Sequence, residues 1–182
     1  MQKQWTVAQL KTLVLKLLDE SSPKNDLTAK IPVFMDTAQK EVSLYCPIRA
    51  QWCAEAAGTV PADVRKVLSV RTESGSAVPY QTRTGADGLV LEAESYPVLV
   101  EYEKIPEEIT AATPQETLLE LPERAVLAMA YYIAAQCNSL EYDQRFFQSF
   151  FAQYQGKLQN LASDPEGVQF SVTVDNSLPD WM

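Results

Sequence analysis

The spacing of apolar residues changes twice along the chain, and this constrains the fold more than any other feature of the sequence. Between residues 7 and 45 apolar residues recur every three or four positions, as in amphipathic helices. Across residues 47–104 they alternate with polar residues, as in half-buried strands. From Pro122 the helical spacing returns. This order predicts an α+β fold, in which a small antiparallel β-sheet or open barrel is inserted into a helical bundle.

Four helices are predicted in the helical parts. The first follows a capping box from Thr6 to Gln9, in which each side chain bonds to the other residue's backbone N–H. The second is expected to begin at Pro32, because the fixed φ of proline and its missing N–H suit the first position of a helix. Within the third, the apolar run from Ala125 to Ala135 is far shorter than the roughly 20 residues that cross a bilayer, so a nearly surrounded helix is expected. The predicted helices cover residues 7–20, 32–45, 122–140 and 142–162.

An aromatic cluster lies near the start of the fourth predicted helix. The run Phe146-Phe-Gln-Ser-Phe-Phe151 presents more aromatic width than one helix face needs. It is interpreted either as core packing or as packing between subunits.

The inserted part of the chain, residues 47–104, is expected to contain four or five strands. Gly75 and the stretch Gly85-Ala-Asp-Gly88 supply turns, and Asp-Gly is a strong hairpin signal. The chain length is close to that of one ordinary domain, so residues 1–163 are expected to form a single domain.

Residues 164–182, named here the C-terminal arm, are expected to be extended and strand-like. Ordering about eight residues of an isolated strand costs roughly 8 to 16 kcal/mol of backbone entropy. Burying its four apolar side chains returns about 6 to 10 kcal/mol. The arm should therefore become ordered only along a sheet edge, either its own or a neighbour's, where main-chain hydrogen bonds form. Trp181 would then fill a pocket on the partner. The candidate assembly contacts are Val168, Phe170, Val172, Val174 and Trp181.

Composition excludes several classes of function. The chain has no histidine, which removes Ser/His/Asp and Cys/His nucleophilic sites and histidine-based zinc sites. A net charge of -9 disfavours direct binding to DNA or RNA phosphates. The three cysteines are widely spaced, which indicates buried thiols rather than a disulfide framework or zinc site. No catalytic residue, cofactor or metal is predicted. The N-terminal residues lack the pattern of a secretory signal, so synthesis in the cytoplasm is expected.

The acidic residues are concentrated in one stretch. Nine glutamates lie between Glu92 and Arg124, against only Lys104 and Arg124. One interpretation is the solvated outer face of a sheet. Another is the lumen of a ring, where uncompensated carboxylates would repel DNA phosphates over roughly 8 Å. A carboxylate-dependent enzyme is a further alternative, which would need two glutamates of contrasting environment in a concave pocket. The candidate acidic surface comprises Glu92, Glu94, Glu101 and Glu103.

Several short motifs follow one another between residues 28 and 160. They are Val60-Pro-Ala-Asp63 leading into Val64, Val67 and Val70, then Tyr102-Glu-Lys-Ile-Pro106, Ile109-Thr110, and Leu121-Pro-Glu123 before Ala128-Met-Ala-Tyr-Tyr-Ile-Ala134. Their order and spacing resemble those of the head-to-tail connector proteins, also called adaptor or head-completion proteins, of tailed bacteriophages and prophages.

The resemblance covers roughly residues 28–160, and it implies a helical bundle that carries a β insertion and a structural, non-enzymatic role in the virion. Such subunits form a homo-oligomeric ring on the portal protein, extend the DNA channel and meet a tail or stopper protein. Genomic DNA would pass through without sequence-specific binding, and no membrane would be involved. The protein would be located in the host cytoplasm during assembly and then at the head–tail junction. Another neck or tail component and a generic protein-binding module are the alternatives outside enzymes.

Overall fold

The computed structural model describes residues 4–20, 25–86, 88–140 and 144–163. These residues divide into a helical unit, formed by residues 4–47 and 106–163, and a β unit, formed by residues 48–105. The fold is α+β, as predicted. The C-terminal arm lies outside the described residues.

The helical unit is built around one central helix. Its helices are α1 (Val7–Leu17), α2 (Asn25–Val42), α3 (Glu123–Leu140) and α4 (Gln144–Ser163). Helices α1, α2 and α4 each pack on α3. Because it is contacted on several sides, α3 buries residues around most of its circumference, and the prediction of a nearly surrounded helix is confirmed. These residues are Ala125, Val126, Ala128, Met129, Ala130, Ile133, Ala134, Ala135 and Cys137.

Local sequence signals define the start of α1 but not its end. The Gln9 N–H donates to the Thr6 hydroxyl at 3.2 Å, and the Thr6 N–H donates to the Gln9 side chain at 3.0 Å. This confirms the capping box. The helix stops at Leu17, three residues before its predicted end, because the chain turns at Asp19, which has a left-handed φ of 54°.

Helix α2 begins seven residues earlier than predicted, so Pro32 lies inside it. The buried face continues back from Ile31 to Leu27, one turn before the proline. Packing of this extra turn outweighs the single backbone hydrogen bond that proline cannot make. At the other end the helix stops at Val42, three residues before its predicted end. Tyr45 is 43% exposed, because the chain no longer follows the helical period there.

The β unit consists of two three-stranded antiparallel sheets that share one core, so its six strands differ from the predicted single sheet or open barrel of four or five. The strands are β1 (Ile48–Ala54), β2 (Gly58–Thr59), β3 (Val64–Arg71), β4 (Tyr80–Gly85), β5 (Gly88–Ala93) and β6 (Val98–Lys104). The first sheet has the order β1-β6-β3 and the second β2-β5-β4. Leu91 of the second sheet belongs to the same buried cluster as Val98 and Val100 of the first.

Strands β4 and β5 form the hairpin that the Asp-Gly signal predicts. Gly85 pairs with Gly88, and Gly88 adopts a φ of 123°, which L side chains rarely accept. Strand β4 begins at Tyr80, and Ala77 before it forms an isolated bridge with Arg71 instead of extending the strand. Within the described ranges, no helix is long and apolar enough to span a bilayer.

Candidate interaction surfaces

Two of the four candidate acidic residues project from the outer face of the first sheet. Glu101 and Glu103 lie on β6, the middle strand. Neighbouring residues on this strand, Val100 and Tyr102, are buried in the core of the β unit. Because successive side chains of a strand point to opposite faces, the two carboxylates are on the face away from that core.

Basic residues from the neighbouring strands lie beside these carboxylates. Glu103 pairs in register with Arg49 on β1 and with Lys66 on β3. A guanidinium nitrogen of Arg49 is 3.5 Å from one carboxylate oxygen of Glu101, and the Ser69 hydroxyl donates to the other at 3.2 Å. The acidic stretch contains few basic residues, and its negative charge is therefore offset by basic residues that are distant in the sequence.

The other two candidate acidic residues lie on strand β5 of the second sheet or directly after it. Glu92 lies on β5, and its carboxylate is 2.6 Å from the guanidinium of Arg83 on β4. Both side chains are exposed, so this ion pair contributes at most about 1 kcal/mol. Glu94 follows β5 and is exposed. The four glutamates are thus divided between two sheets, and their position along a DNA channel stays a prediction.

A hydrogen-bond network that the sequence did not predict joins α2 to the acidic segment, the name used here for residues 106–122. One carboxylate oxygen of Asp36 accepts from the Ile109 N–H at 3.0 Å and from the Gln39 side-chain amide at 3.2 Å. The other oxygen is 2.6 Å from the Lys40 ammonium. The Gln39 amide, which is buried, also donates to the Glu107 carbonyl.

The environment of Asp36 favours its ionised form. Burial alone raises the pKa of Asp36, but hydrogen bonds from Lys40, Ile109 and Gln39 outweigh it, and the pKa lies below its ordinary value. A carboxylate with its oxygens engaged in this way anchors a backbone segment. The only feature of the sequence that indicates this network is the spacing of Asp36, Gln39 and Lys40, which places them on one helix face.

The acidic segment is held a second time at the start of α1. The Val7 N–H donates to the Thr117 carbonyl at 3.0 Å, and the Ala8 N–H donates to the Gln115 carbonyl at 2.9 Å. These bonds satisfy two of the N–H groups that a helix N-terminus leaves without intrahelical partners. The irregular backbone is therefore fixed at both ends of the segment. It contains four glutamates and no lysine or arginine.

The predicted aromatic cluster forms a partly exposed face at the start of α4. Phe146 is 54% exposed, and Phe147, Phe150 and Phe151 are half-buried; these four residues are named here the aromatic face. Phe147 and Phe151 stack with a centroid distance of 5.5 Å, and Phe150 lies 6.3 Å from Tyr131 of α3.

The core contacts of α4 lie further along the helix. Tyr154 is buried in an edge-to-face contact with Tyr132, with 5.2 Å between ring centroids, and Leu158 and Leu161 follow on the same face. The Tyr154 hydroxyl makes no hydrogen bond of good geometry among the described residues. Burial is the main cause that raises the pKa of Tyr154, and the nearby Glu41 carboxylate raises it further. The phenol therefore stays protonated at neutral pH.

The remaining sequence candidates do not form a chemical site in the described part of the chain. Cys46 and Cys137 are buried and Cys53 is partly buried. The described residues include no group of three or more Cys, Asp or Glu side chains placed to hold a metal ion. The arm contacts Val168, Phe170, Val172, Val174 and Trp181 lie outside the described residues.

Comparison with known proteins assigns no family to the chain. No family model matches it, and a search of the curated proteins finds no match.

Proposed function

We propose that this chain is a non-enzymatic subunit of the head–tail connector of a tailed bacteriophage or prophage. Copies assemble into a ring on the portal protein, extend the DNA channel and present a surface to the tail or stopper protein. The observation that carries the proposal is the interruption of one helical unit by a β unit, with α1 and α2 before it and α3 and α4 after it. From α2 onward, this is the arrangement that the resemblance over residues 28–160 implies, and α1 lies outside that stretch.

The surroundings of the carboxylates support a structural role over the enzymatic alternative. In the described part of the chain, the groups bonded to Asp36 are an ammonium, a side-chain amide and a backbone N–H. Glu92 and Glu101 contact arginines on adjacent strands. An acid–base pair needs two acids in contrasting environments facing one substrate. These contacts instead join one element of the fold to another.

The proposal is tested with the full chain and the portal protein encoded by the same genome. Mass photometry of the chain, the portal ring and their mixture should show several copies of the chain added to each portal ring. A monomer in the absence of portal agrees with the proposal, because many rings assemble only on a template. A portal ring that gains no mass at micromolar concentrations of the chain would contradict it.

A further inference from the structure

Helix α4 has a surface unlike that of the rest of this acidic chain. Its twenty residues include two basic side chains, Arg145 and Lys157, and no acidic one, although the chain has 24 acidic residues. The side that packs on α3 is marked by Tyr154, Leu158 and Leu161. Uncharged polar side chains occupy exposed positions elsewhere on the helix: Gln148, Ser149, Gln153, Gln155, Gln159 and Asn160.

This surface has the composition of a protein interface. Interface centres are depleted in charged residues and enriched in aromatic ones, because desolvating a charge costs more than desolvating an amide or a ring. The aromatic face supplies four phenylalanines within one and a half turns of the helix. Lys157 lies with its ammonium 5.1 Å from the Tyr131 ring centre, so a positive charge is held close to the surface of α3 and α4.

The acidic segment has complementary properties. Leu118 is 52% exposed, and Glu107, Glu108 and Glu116 are exposed. Its backbone is bonded to α1 and α2, so little conformational entropy is lost when a partner binds it. A segment that exposes one large apolar side chain and three carboxylates is complementary to a helix surface that exposes aromatic rings and two cations.

We infer that the aromatic face of one copy binds the acidic segment of a second copy of this chain. This inference rests on the proposed function, since it names the contact between neighbouring subunits of the ring. The two surfaces differ, so the contact is heterologous, and repeating it produces a closed ring or an open filament. A symmetric contact between two α4 helices is disfavoured because all the charged side chains on this helix are basic and would repel one another.

The size of α4 indicates a weak contact. A helix of 20 residues is about 30 Å long and about 10 Å wide, which gives roughly 300 Å² of contact area. A standard interface buries about 800 Å² on each partner. Association of free copies should therefore be weak, sensitive to salt, and strengthened when a portal ring holds the copies side by side.

Reciprocal charge reversal tests this contact. One variant carries Arg145→Glu and Lys157→Glu, and the other carries Glu108→Lys and Glu116→Lys. Each should weaken self-association in low salt by about tenfold, as measured by sedimentation velocity. Mixing the two variants should restore association, because the reversed α4 then meets the reversed segment. The matched control, Lys16→Glu with Arg71→Glu, makes the same charge change at exposed positions of α1 and β3 and should leave association unchanged. Circular dichroism verifies that each variant is folded.

The outcomes separate this contact from the connector function. If the wild-type chain loads onto portal rings and the reversed variants load equally well, the contact is wrong and the connector proposal stands. If the mixture is rescued but the wild-type chain never binds portal, the contact stands and the connector proposal is wrong. If the charge-reversed variants self-associate as the wild-type chain does, whereas removal of the residues after Asp164 abolishes self-association, the arm and not the aromatic face makes the contact, and the inferred contact is overturned.

Discussion

Replacing Asp36 should detach the acidic segment from α2 at a predictable cost. In Asp36→Ala the Ile109 N–H loses its acceptor, and Ile109 is a buried residue. An unsatisfied buried donor costs about 1 to 3 kcal/mol. Loss of the ion pair with Lys40, whose side chain is half exposed, adds about 0.3 to 0.5 kcal/mol. The Gln39 amide keeps its hydrogen bond to the Glu107 carbonyl, so the loss of its contact with Asp36 adds little to the destabilisation. The free energy of unfolding should therefore fall by about 1.3 to 3.5 kcal/mol.

A second variant separates the hydrogen bond from the charge. Asp36→Asn keeps an oxygen for the Ile109 N–H but removes the negative charge that faces Lys40, so a smaller loss of about 1 kcal/mol is expected. Urea unfolding followed by circular dichroism at the helical band measures both variants, because Asp36 and its partners all belong to the helical unit.

The pH dependence provides an independent check. The pKa of Asp36 is lowered in the folded protein, so its charge contributes stability above the unfolded pKa of about 3.9. That contribution is lost as the pH falls through the folded pKa. The deficit of Asp36→Asn should accordingly be full at neutral pH and should shrink below about pH 4. A deficit that stays constant at low pH, or an Asp36→Ala loss below about 0.5 kcal/mol, would refute the anchoring role.

Three further results are expected. Gly88→Ala should destabilise the β unit by at least about 1 kcal/mol, because Gly88 has a positive φ. Gly58→Ala should leave the stability nearly unchanged, because the added Cβ meets no atom within 4 Å. Equal shifts in melting temperature for the two variants would contradict this. Burial is the main cause that raises the pKa of the Cys53 thiol, and the nearby carboxylates of Glu55 and Glu73 raise it further. Iodoacetamide should therefore modify Cys53 more slowly than it modifies a short cysteine peptide near neutral pH. Equal rates of modification would contradict this expectation. Truncation after Asp164 should weaken assembly on portal without changing the helical circular dichroism signal, and undiminished portal loading would show that the arm is dispensable.

The edges of the elements show where sequence reasoning succeeds. The capping box of α1 and the Asp-Gly hairpin are interactions between residues a few positions apart, so the local sequence contains both partners. The start of α2 is different. Proline predicts a helix start, but the burial of Leu27 on the same face as Ile31 extends the helix through Pro32.

The charged residues also show that sequence reasoning misses contacts between residues distant in the chain. The stretch from Glu92 to Arg124 is acidic when read along the chain. Strand pairing places Arg49 and Lys66 beside Glu103, and these two residues come from parts of the sequence 54 and 37 positions away. A count of charges along the sequence cannot include them, because the register of a sheet is set by the packing of its core.

The sequence by itself determined the α+β class, the order of helices and strands, and the absence of histidine chemistry, because periodicity involves residues only a few positions apart and composition is independent of the fold. Only the tertiary structure decided that Asp36 anchors the acidic segment, that cations flank the glutamates of β6, and that the aromatic face remains partly exposed. Each of these depends on which distant residues meet, and that is settled by burying the apolar surfaces of all the elements together.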